Sequence, residues 1–505
     1  MRTSVTSNRT AFFVALLLAI LSPAGYAGEG EMLFLLDAAA PLPPESSIWD
    51  RITVAGTELV IASCPGAAPS ADAVRGAIEP CGPGEMLYIV TSPGPADLFE
   101  IGIRGTIVVG DSHAALVRAT AGEAEEIAAR GLELRAVLPP PLRGGSARKG
   151  PARAAKNSFL AWDSRIQEIV DAVTIEEMEI FIGNLTGLNS VTIGGAPYTI
   201  ETRNSYQTTP IGNATQYCYE YFQGLGLSAA YDGYTWGSYA WRNVVAEQPG
   251  TVSPDGIYLV CTHLDDMPSG ATAPGADDNA SGSAAVLLAA SILNGYAFEN
   301  TIRYVLFTGE EQGLIGSYYY VQDCVAAGDE ILGAVNLDMI AYDGNADNRI
   351  DLHCGTIAAS GTMGDLFIST IGDYSLSLVP QKITTGAATA SDHSRFWNAG
   401  YPAILGIEDY SGSPNDFNPY YHTVNDTRAH CVLPYAAEFT RAAVGTLAQL
   451  GGLVSETPTP TPTPSPTPTP PWGIVNFQPP SVTPLPWYWP DDGSLFGTWG
   501  AYGWL

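Results

Sequence analysis

Five stretches between residues 257 and 426 place acids and histidines directly after predicted strands or in the loops that follow them. They are His263 and Asp265 after residues 257–262, Asp277-Asp278 ahead of a predicted helix, Glu310-Glu311 after residues 302–308, Asp338 near the end of residues 333–339, and His422 in the loop after residues 403–407. Open α/β sheets bind ligands beyond the carboxyl ends of their strands. We therefore expect these side chains to meet at one edge of a sheet.

Imidazole nitrogens and carboxylate oxygens are ligands that zinc accepts, and one carboxylate can bridge two ions. The adjacent Glu310 and Glu311 point in different directions at a strand end, so one can bind metal while the other faces a substrate. Several acids crowded together repel one another unless cations neutralise them, and a dication also lowers the pKa of a bound water. The pattern predicts a metal centre that activates water.

Each stretch taken alone has a simpler interpretation. A histidine such as His263 after a buried strand is typical of a hydrogen-bonded core residue, and Glu310-Glu311 alone is typical of a solvated turn. Asp277-Asp278 alone can cap the helix that follows. Their occurrence together favours the metal centre, while His393 fits a structural role as well as a substrate contact.

The region from residue 157 to 454 alternates apolar strands with helical segments. This pattern is typical of an α/β domain with a mainly parallel central sheet flanked by helices. The predicted strands are 243–247, 257–262, 302–308, 333–339 and 403–407, and the predicted helices are 281–293, 314–326 and 435–450. Ahead of this domain, residues 28–140 contain predicted strands at 86–90 and 105–109 and a helix at 122–131, which indicates a small N-terminal α+β domain.

A basic linker, residues 141–156, is predicted between the two domains because it combines Pro, Gly and Ala with Arg and Lys. Proteases cut exposed backbone of this composition readily. The sequence therefore predicts that residues 28–140 are a propeptide, removed by cleavage near Arg148-Lys149 or Arg153. A permanent accessory domain is the alternative.

The chain ends in a Thr-Pro-rich tail. Residues 455–471 repeat Thr and Pro, which predicts a stiff extended linker because proline lacks a backbone donor. Residues 472–505 are rich in aromatic side chains but too few for an independent core. They are either a contact for carbohydrate or the cell surface, or a disordered or processed end.

The first 27 residues have the parts of an export signal: Arg2 and Arg9, an apolar run over residues 11–21, and small residues at 25–27. The run is shorter than the ~20 residues of a membrane span. The chain has 22 Lys and Arg against 52 Asp and Glu, a formal net charge of −30, which repels phosphate backbones and anionic lipids. We expect a secreted, extracellular protein, attached to the cell surface if its tail binds there, without a membrane span or a nucleic-acid partner.

Six motifs occur in the order found in one known family. They are His263-Leu-Asp265, Pro-Gly-Ala-Asp277-Asp278-Asn-Ala-Ser-Gly, Thr-Gly-Glu310-Glu311-Gln-Gly, Asn-Leu-Asp338-Met, Ser391-Asp392-His393 and Asn-Pro-Tyr-Tyr-His422-Thr. Together they resemble the co-catalytic zinc aminopeptidase family, which includes bacterial leucyl aminopeptidase and, more distantly, glutamate carboxypeptidase II. The resemblance covers about residues 200–452.

The resemblance implies two zinc ions and a role for each matching residue. Asp277 would bridge the ions, His263 and Asp338 would complete one site, and Glu311 and His422 would complete the other. Glu310 would be the catalytic carboxylate that takes a proton from water, and Asp265 would orient His263. The resemblance also implies a cis peptide bond between Asp277 and Asp278.

One departure from the family concerns the oxyanion. Some relatives carry a tyrosine just before the Ser-Asp-His motif, and that tyrosine is thought to stabilise the tetrahedral oxyanion. Residues 386–390 contain none. Tyr410, Tyr420 and Tyr421 are nearby candidates among which the sequence does not choose.

The implied function is that of a dinuclear zinc exopeptidase, an aminopeptidase that removes N-terminal residues from peptides or proteins by metal-activated water, with Glu310 as general base. A carboxypeptidase or dipeptidase of the same fold is the main alternative. A catalytically inactive cell-surface binding protein is a further alternative, against which the intact ligand set argues.

Overall fold

The central sheet of the larger domain is built around a strand that is buried on both faces. In the computed structural model, which describes residues 33–39, 47–55, 57–63, 74–79, 81, 85–92, 98, 104–139, 162–268, 272–411 and 415–454, this strand is β13, Ser253–His263. Its side chains alternate: Tyr258 and Val260 pack into one apolar cluster, and Leu259 and Cys261 into another on the opposite face. Burial on both faces is characteristic of a central parallel strand.

The other strands continue this sheet in the order β11-β12-β14-β13-β15-β18-β16-β17. Their bounds are β11 Ser228–Trp236, β12 Tyr239–Gln248, β14 Asn300–Phe307, β15 Glu330–Leu337, β16 Arg349–His353, β17 Val379–Ile383 and β18 Ala403–Glu408. The four strands at the centre, β14, β13, β15 and β18, are parallel. Antiparallel pairs lie toward both edges, where β12 meets β14 and β16 meets β18. The predicted α/β fold with a parallel centre is confirmed, within a mixed sheet.

Helices cover both faces of this sheet. In the described residues they are α2 Ser164–Asp171, α3 Ile175–Leu185, α4 Thr208–Gly224, α5 Gly282–Leu293, α6 Ile315–Ala327, α7 Ala358–Asp373, α8 His393–Ala399 and α9 Leu433–Gly451; a hairpin, β9 Val191–Ile193 with β10 Ala196–Tyr198, lies outside the sheet. Helices α5 and α9 bury their apolar residues on one face, and α6 and α8 pack on the other. The predicted strands and helices of this domain all form, with ends shifted by a few residues.

The N-terminal domain consists of two antiparallel sheets and one described helix. The sheets have the orders β2-β3-β1-β4 and β6-β7-β5-β8. The bounds are β1 Leu33–Asp37, β2 Ser47–Val54, β3 Thr57–Ser63, β4 Val74–Ile78, β5 Glu85–Thr91, β6 Thr106–Gly110, β7 Ala114–Thr120, α1 Ala121–Ala128 and β8 Glu133–Ala136. Thr120 caps α1 and Glu123 bonds back to the Thr120 backbone, a reciprocal arrangement that fixes the start of the helix.

The described residues up to Val454 form one compact unit. The structure describes no residue from 455 to 505. The predicted signal peptide 1–27, basic linker 141–156, Thr-Pro linker 455–471 and aromatic tail 472–505 lie outside the described residues, so these assignments stay predictions. Within the described part of the chain, no helix has the length and apolarity that crossing a membrane requires.

Candidate metal centre

The ends of three neighbouring parallel strands bring the predicted acids and histidines together. His263 is the last residue of β13, Glu310 and Glu311 follow β14, and Asp338 follows β15. His422 comes from the loop between β18 and α9, and its imidazole reaches the same place. The structure therefore places these side chains at the carboxyl edge of the sheet, as predicted.

Asp278, which the sequence analysis did not select, lies between the two histidines. One of its oxygens is 3.2 Å from Nε2 of His263 and the other is 3.4 Å from Nε2 of His422. A carboxylate whose two oxygens face two different imidazoles has the arrangement of a ligand shared by two ions. Candidate ligand atoms converge in two groups that share His263. One group adds Glu310 and Asp338, and the other adds Asp278 and Glu311.

The prediction for Asp277 needs correction, because its carboxylate turns away from this cluster. One oxygen accepts a hydrogen bond from the Ala341 backbone N–H at 2.8 Å, and the other accepts one from Nδ2 of Asn418 at 2.9 Å. Asp277 therefore ties the loop before α5 to the segments that follow β15 and β18. The position predicted for the cis peptide bond is also one residue too early. The bond lies between Asp278 and Asn279, not between Asp277 and Asp278.

The backbone around Asp278 is held by another buried acid. Asp426 accepts hydrogen bonds from the backbone N–H groups of Asp277 and Asp278, at distances between 2.9 and 3.2 Å. Just after them, Gly282 begins α5 against β13, where a side chain would come within 2.5 Å of Thr262 and Asn279. The start of α5 can approach the strand this closely only with glycine at that position.

Asp338 is fixed by hydrogen bonds that leave one oxygen next to His263. Ser391 donates to its Oδ2 at 2.6 Å, and Nδ2 of Asn279 donates to its Oδ1 at 3.0 Å. The Oδ1 atom also lies 3.1 Å from Nε2 of His263. The Ser-Asp-His motif thus contributes to the site through its serine, while His393 is fully buried and bonds to the Ala388 backbone carbonyl.

Asp265 connects the end of β13 to the two glutamates. Its carboxylate accepts hydrogen bonds from the backbone N–H groups of Glu310 and Glu311 at 3.3 and 3.4 Å, and from Ser205 at 3.1 Å. Nδ1 of His263 is 3.2 Å from the Asp265 backbone carbonyl and 3.8 Å from its carboxylate. Asp265 therefore lies where it can position His263 as well as the loop that carries Glu310 and Glu311.

The electrostatics of the cluster favour bound cations. Burial, partly offset by His263, raises the pKa of Glu310 well above its usual value, and burial together with Asp278 does the same for Glu311. Nε2 of His422 lies 2.7 Å from Glu311 Oε2 but makes no hydrogen bond, and Oε1 of Glu311 has no partner among the described residues. Two ligand atoms that lie this close without a hydrogen bond between them fit the coordination of an ion, and zinc accepts imidazoles and carboxylates.

Two of the three candidate tyrosines line the cavity above the cluster. Tyr410 and Tyr421 are part of its wall, whereas Tyr420 stacks on His430 instead. Tyr421 stacks on His422 with ring centroids 3.6 Å apart. The Tyr410 hydroxyl bonds to the carboxylate of Glu133, a residue of β8 in the N-terminal domain.

The sequence of the larger domain is similar to that of known peptidases. Residues 243–447 match the model of peptidase family M28. A probable leucine aminopeptidase of Trichophyton verrucosum is 29% identical over 221 residues, which are 41% of this chain and 57% of that protein. Leucine aminopeptidase 1 of Trichophyton rubrum is 30% identical over 228 residues, 42% of this chain and 59% of that protein. The chain thus spans less than two thirds of the length of these relatives.

Solved structures show the same fold. The LapA aminopeptidase of Legionella pneumophila superposes with a TM-score of 0.55 at 16% identity, covering 74% of this chain and 99% of that protein. LapB from the same organism superposes with a TM-score of 0.53 at 18% identity, covering 73% of this chain and 99% of LapB. The predicted resemblance to an aminopeptidase family is confirmed by these sequence matches, and the two structures show the same fold.

Proposed function

From the peptidase family M28 match over residues 243–447, we propose that this chain is a secreted aminopeptidase that binds two zinc ions and removes N-terminal residues from peptides. The observation that carries the proposal is the position of Asp278, whose two carboxylate oxygens face His263 and His422 separately. A single ion needs no such shared ligand, whereas a pair of ions does.

The residues divide into two sets around Asp278. His263 and Asp338 would complete one zinc site, and Glu311 and His422 the other. The contact between His263 and Asp338 and the contact between His422 and Glu311 support this division. Zinc bound there would polarise the scissile carbonyl and lower the pKa of a water molecule. Ser391 and Asn279 hold Asp338 in place, and Asp426 holds the backbone of Asp278.

Glu310 is the carboxylate of the cluster that remains for proton transfer. Its backbone N–H is fixed by Asp265, and its side chain lies beside His263 and Asp338. Burial raises the pKa of Glu310, which suits a group that must accept a proton from water and return it to the leaving amine. We assign Glu310 the role of general base.

The assay that tests this function uses matched peptides with free or blocked ends. An aminopeptidase hydrolyses a peptide with a free amino terminus and an amidated carboxyl terminus, but not its N-acetylated counterpart. Hydrolysis that requires a free carboxyl terminus instead would identify a carboxypeptidase, and a requirement for both free ends would identify a dipeptidase. Binding of peptide without hydrolysis, in protein that contains zinc, would support the binding-protein alternative.

Export is part of the same proposal and has its own measurement. The N-terminal sequence of protein collected from the medium should show that residues 1–27 have been removed. Retention of the full chain within the cells would contradict the assignment. The contact of residues 472–505 with carbohydrate or the cell surface would be tested by comparing cell association with and without those residues.

A further inference from the structure

His422 is the proposed ligand that lies in the middle of a long loop. The loop runs from the end of β18 at Glu408 to the start of α9 at Leu433, whereas the other side chains of the cluster lie near strand ends or just before α5. The backbone of His422 has a φ of 56°, in the left-handed region that is uncommon for residues other than glycine. Such a backbone persists only where the surrounding structure holds it.

Two polar side chains attach this loop to the Asp277-Asp278 segment, one on each side of His422. After His422, Asp426 accepts hydrogen bonds from the backbone N–H groups of Asp277 and Asp278. Before it, Nδ2 of Asn418 donates to Oδ2 of Asp277 at 2.9 Å and to Oδ1 of Asp426 at 3.4 Å. His422 is therefore held between two attachments to the segment that carries the shared ligand.

Asn418 also fixes the path of the chain that leads into His422. Its Oδ1 accepts a hydrogen bond from the Tyr420 N–H at 2.9 Å, and its backbone carbonyl accepts one from the Tyr421 N–H at 3.2 Å. Its own N–H donates to Oε1 of Glu408, the last residue of β18, at 2.7 Å. Asn418 is buried, and its side chain uses both the acceptor and the donor that an amide offers. The residue thus connects the sheet, the loop and the Asp277-Asp278 segment.

The far end of this connection stays in place without Asn418. Oδ1 of Asp277 accepts a hydrogen bond from the Ala341 N–H at 2.8 Å. When Asn418 is changed, the loop of His422 is therefore the part that gains freedom. A change at Asp277, in contrast, leaves Asn418 its bond to Asp426. Removal of the Asn418 side chain releases both contacts at once.

The position of His422 matters because its imidazole faces two carboxylates. Nε2 of His422 is 2.7 Å from Oε2 of Glu311 and 3.4 Å from Oδ2 of Asp278. Zinc–nitrogen bonds are about 2.0–2.1 Å long and tolerate deviations of about 0.2 Å. A small displacement of the loop would therefore take the imidazole out of reach of an ion that Glu311 and Asp278 hold.

We propose that Asn418 is a positioning residue for the second zinc ion, because it holds His422 against Asp278 and Glu311. This inference rests on the dinuclear centre of the proposed function. Asn418 acts only through His422 and touches neither ion nor substrate. Its removal weakens binding of the ion that Glu311 and His422 complete, while the ion of His263 and Asp338 stays bound.

The test measures affinity for zinc alone, by competition with a chelator of known affinity. Asn418→Ala removes the bond to Tyr420 and both contacts with the acids. Asn418→Ser keeps a hydroxyl that can accept from the Tyr420 N–H but is too short to reach Asp277. Loss of a residue that orients a metal ligand typically costs about 10–100-fold in affinity. We expect both variants to bind the first ion as the unchanged protein does and the second at least about tenfold more weakly.

Gln248→Ala is the matched control for loss of a hydrogen-bonded amide. Gln248 ends β12, and its amide donates to the Leu293 and Tyr296 carbonyls at 3.0 and 2.7 Å and accepts from the Tyr304 hydroxyl at 2.8 Å. It lies beside the start of β14, at the opposite end of that strand from the metal centre. This variant should unfold at a lower temperature and bind both ions with unchanged affinity. Weaker binding of the second ion by Gln248→Ala as well would assign the effect to general destabilisation and would overturn the inference.

A double-mutant cycle with His422→Ala separates positioning from support of the whole fold. His422→Ala should bind one ion, and adding Asn418→Ala should change the affinity for that ion by less than about twofold, because the two substitutions act on the same ligand. A merely structural role would weaken the remaining ion too. That result would show that Asn418 does not act through His422.

The outcomes separate this inference from the proposed function. Unchanged affinity for both ions in Asn418→Ser would overturn the role given to Asn418 and leave the metal centre intact. Thermal unfolding of the metal-free variants shows which of them fold, and Asn418→Ser decides the question if Asn418→Ala does not. Binding of one ion or none by the unchanged protein would overturn the dinuclear centre itself.

Discussion

Substitution of the two adjacent aspartates, one at a time, gives opposite expected results. In Asp278→Asn, the shared ligand loses its negative charge and one of its two acceptor oxygens, each of which faces a different histidine. The amide cannot bridge two dications, so we expect zinc content to fall from two ions per chain to one or fewer. Activity should fall at least about 10²-fold, because the positioning of both water and substrate depends on the pair.

Asp277→Asn is the matched control, and we expect it to lower the stability of the fold without removing zinc. Asp277 accepts hydrogen bonds from the Ala341 N–H and from Asn418, so an amide in either orientation presents its NH₂ group to one of these donors. One buried hydrogen bond is lost and a donor is left unpaired, a cost of about 1–3 kcal/mol. The melting temperature should drop while both zinc ions are retained at saturating zinc.

The assay is metal analysis of both variants after dialysis against zinc at a fixed free concentration, with thermal unfolding in parallel. Asp278 would not be the shared ligand if Asp277→Asn lost zinc while Asp278→Asn kept two ions and full activity. That result would restore Asp277 as the shared ligand and would mean that the loop is arranged differently in the metal-bound protein.

Substitutions of the two glutamates and of Tyr410, together with removal of the metal, test the other assigned roles. Glu310→Gln should keep zinc and lose at least about 10²-fold in kcat, the usual scale for general-base catalysis, whereas Glu311→Gln should lose zinc; retention of full activity by both variants would contradict these roles. Tyr410→Phe should lower kcat with little change in KM if the Tyr410 hydroxyl stabilises the oxyanion, and an unchanged kcat would exclude that role. A chelator should abolish hydrolysis, and added zinc should restore it; activity that persists in metal-free protein would contradict a metal-dependent mechanism.

The arrangement of the catalytic sheet was predictable because its strands are locally distinctive. Residues 257–262 and 302–308 are continuous apolar runs, each followed by acids or a histidine, so their type and the location of the site follow from the pattern. Strands β16 and β17, which lie at one end of the sheet, were not predicted. They are short and carry polar residues such as Asp351 and Lys382, so neither shows the apolar run of a central strand.

The choice between Asp277 and Asp278 shows a limit of sequence reasoning. Both are acids in the same loop, and both are more than nine-tenths buried. Which carboxylate faces the histidines depends on the path of the backbone. That path is set by Asp426, 148 residues after Asp278, and by Asn418, 141 residues after Asp277. No local pattern carries this information.

Local sequence patterns also did not predict the contact between the two domains. Ala128 and His422 are 294 positions apart, and the bond between them uses a backbone carbonyl that any residue would offer. Glu133 is one acid among 52 acidic residues, and its sequence neighbours give no sign that it faces a metal centre. The propeptide predicted from the composition of residues 141–156 stays a prediction, while the residues through which the two domains touch become visible only in the fold.

Two zinc ions bound in the described cluster, both needed for hydrolysis, are tested by a titration of metal-free protein with zinc. Bound zinc and aminoacyl-anilide hydrolysis are measured on the same samples. We expect two ions to bind per chain, with full activity reached only when the second site fills. Full activity with one ion, or with none, would show that the dinuclear assignment is wrong.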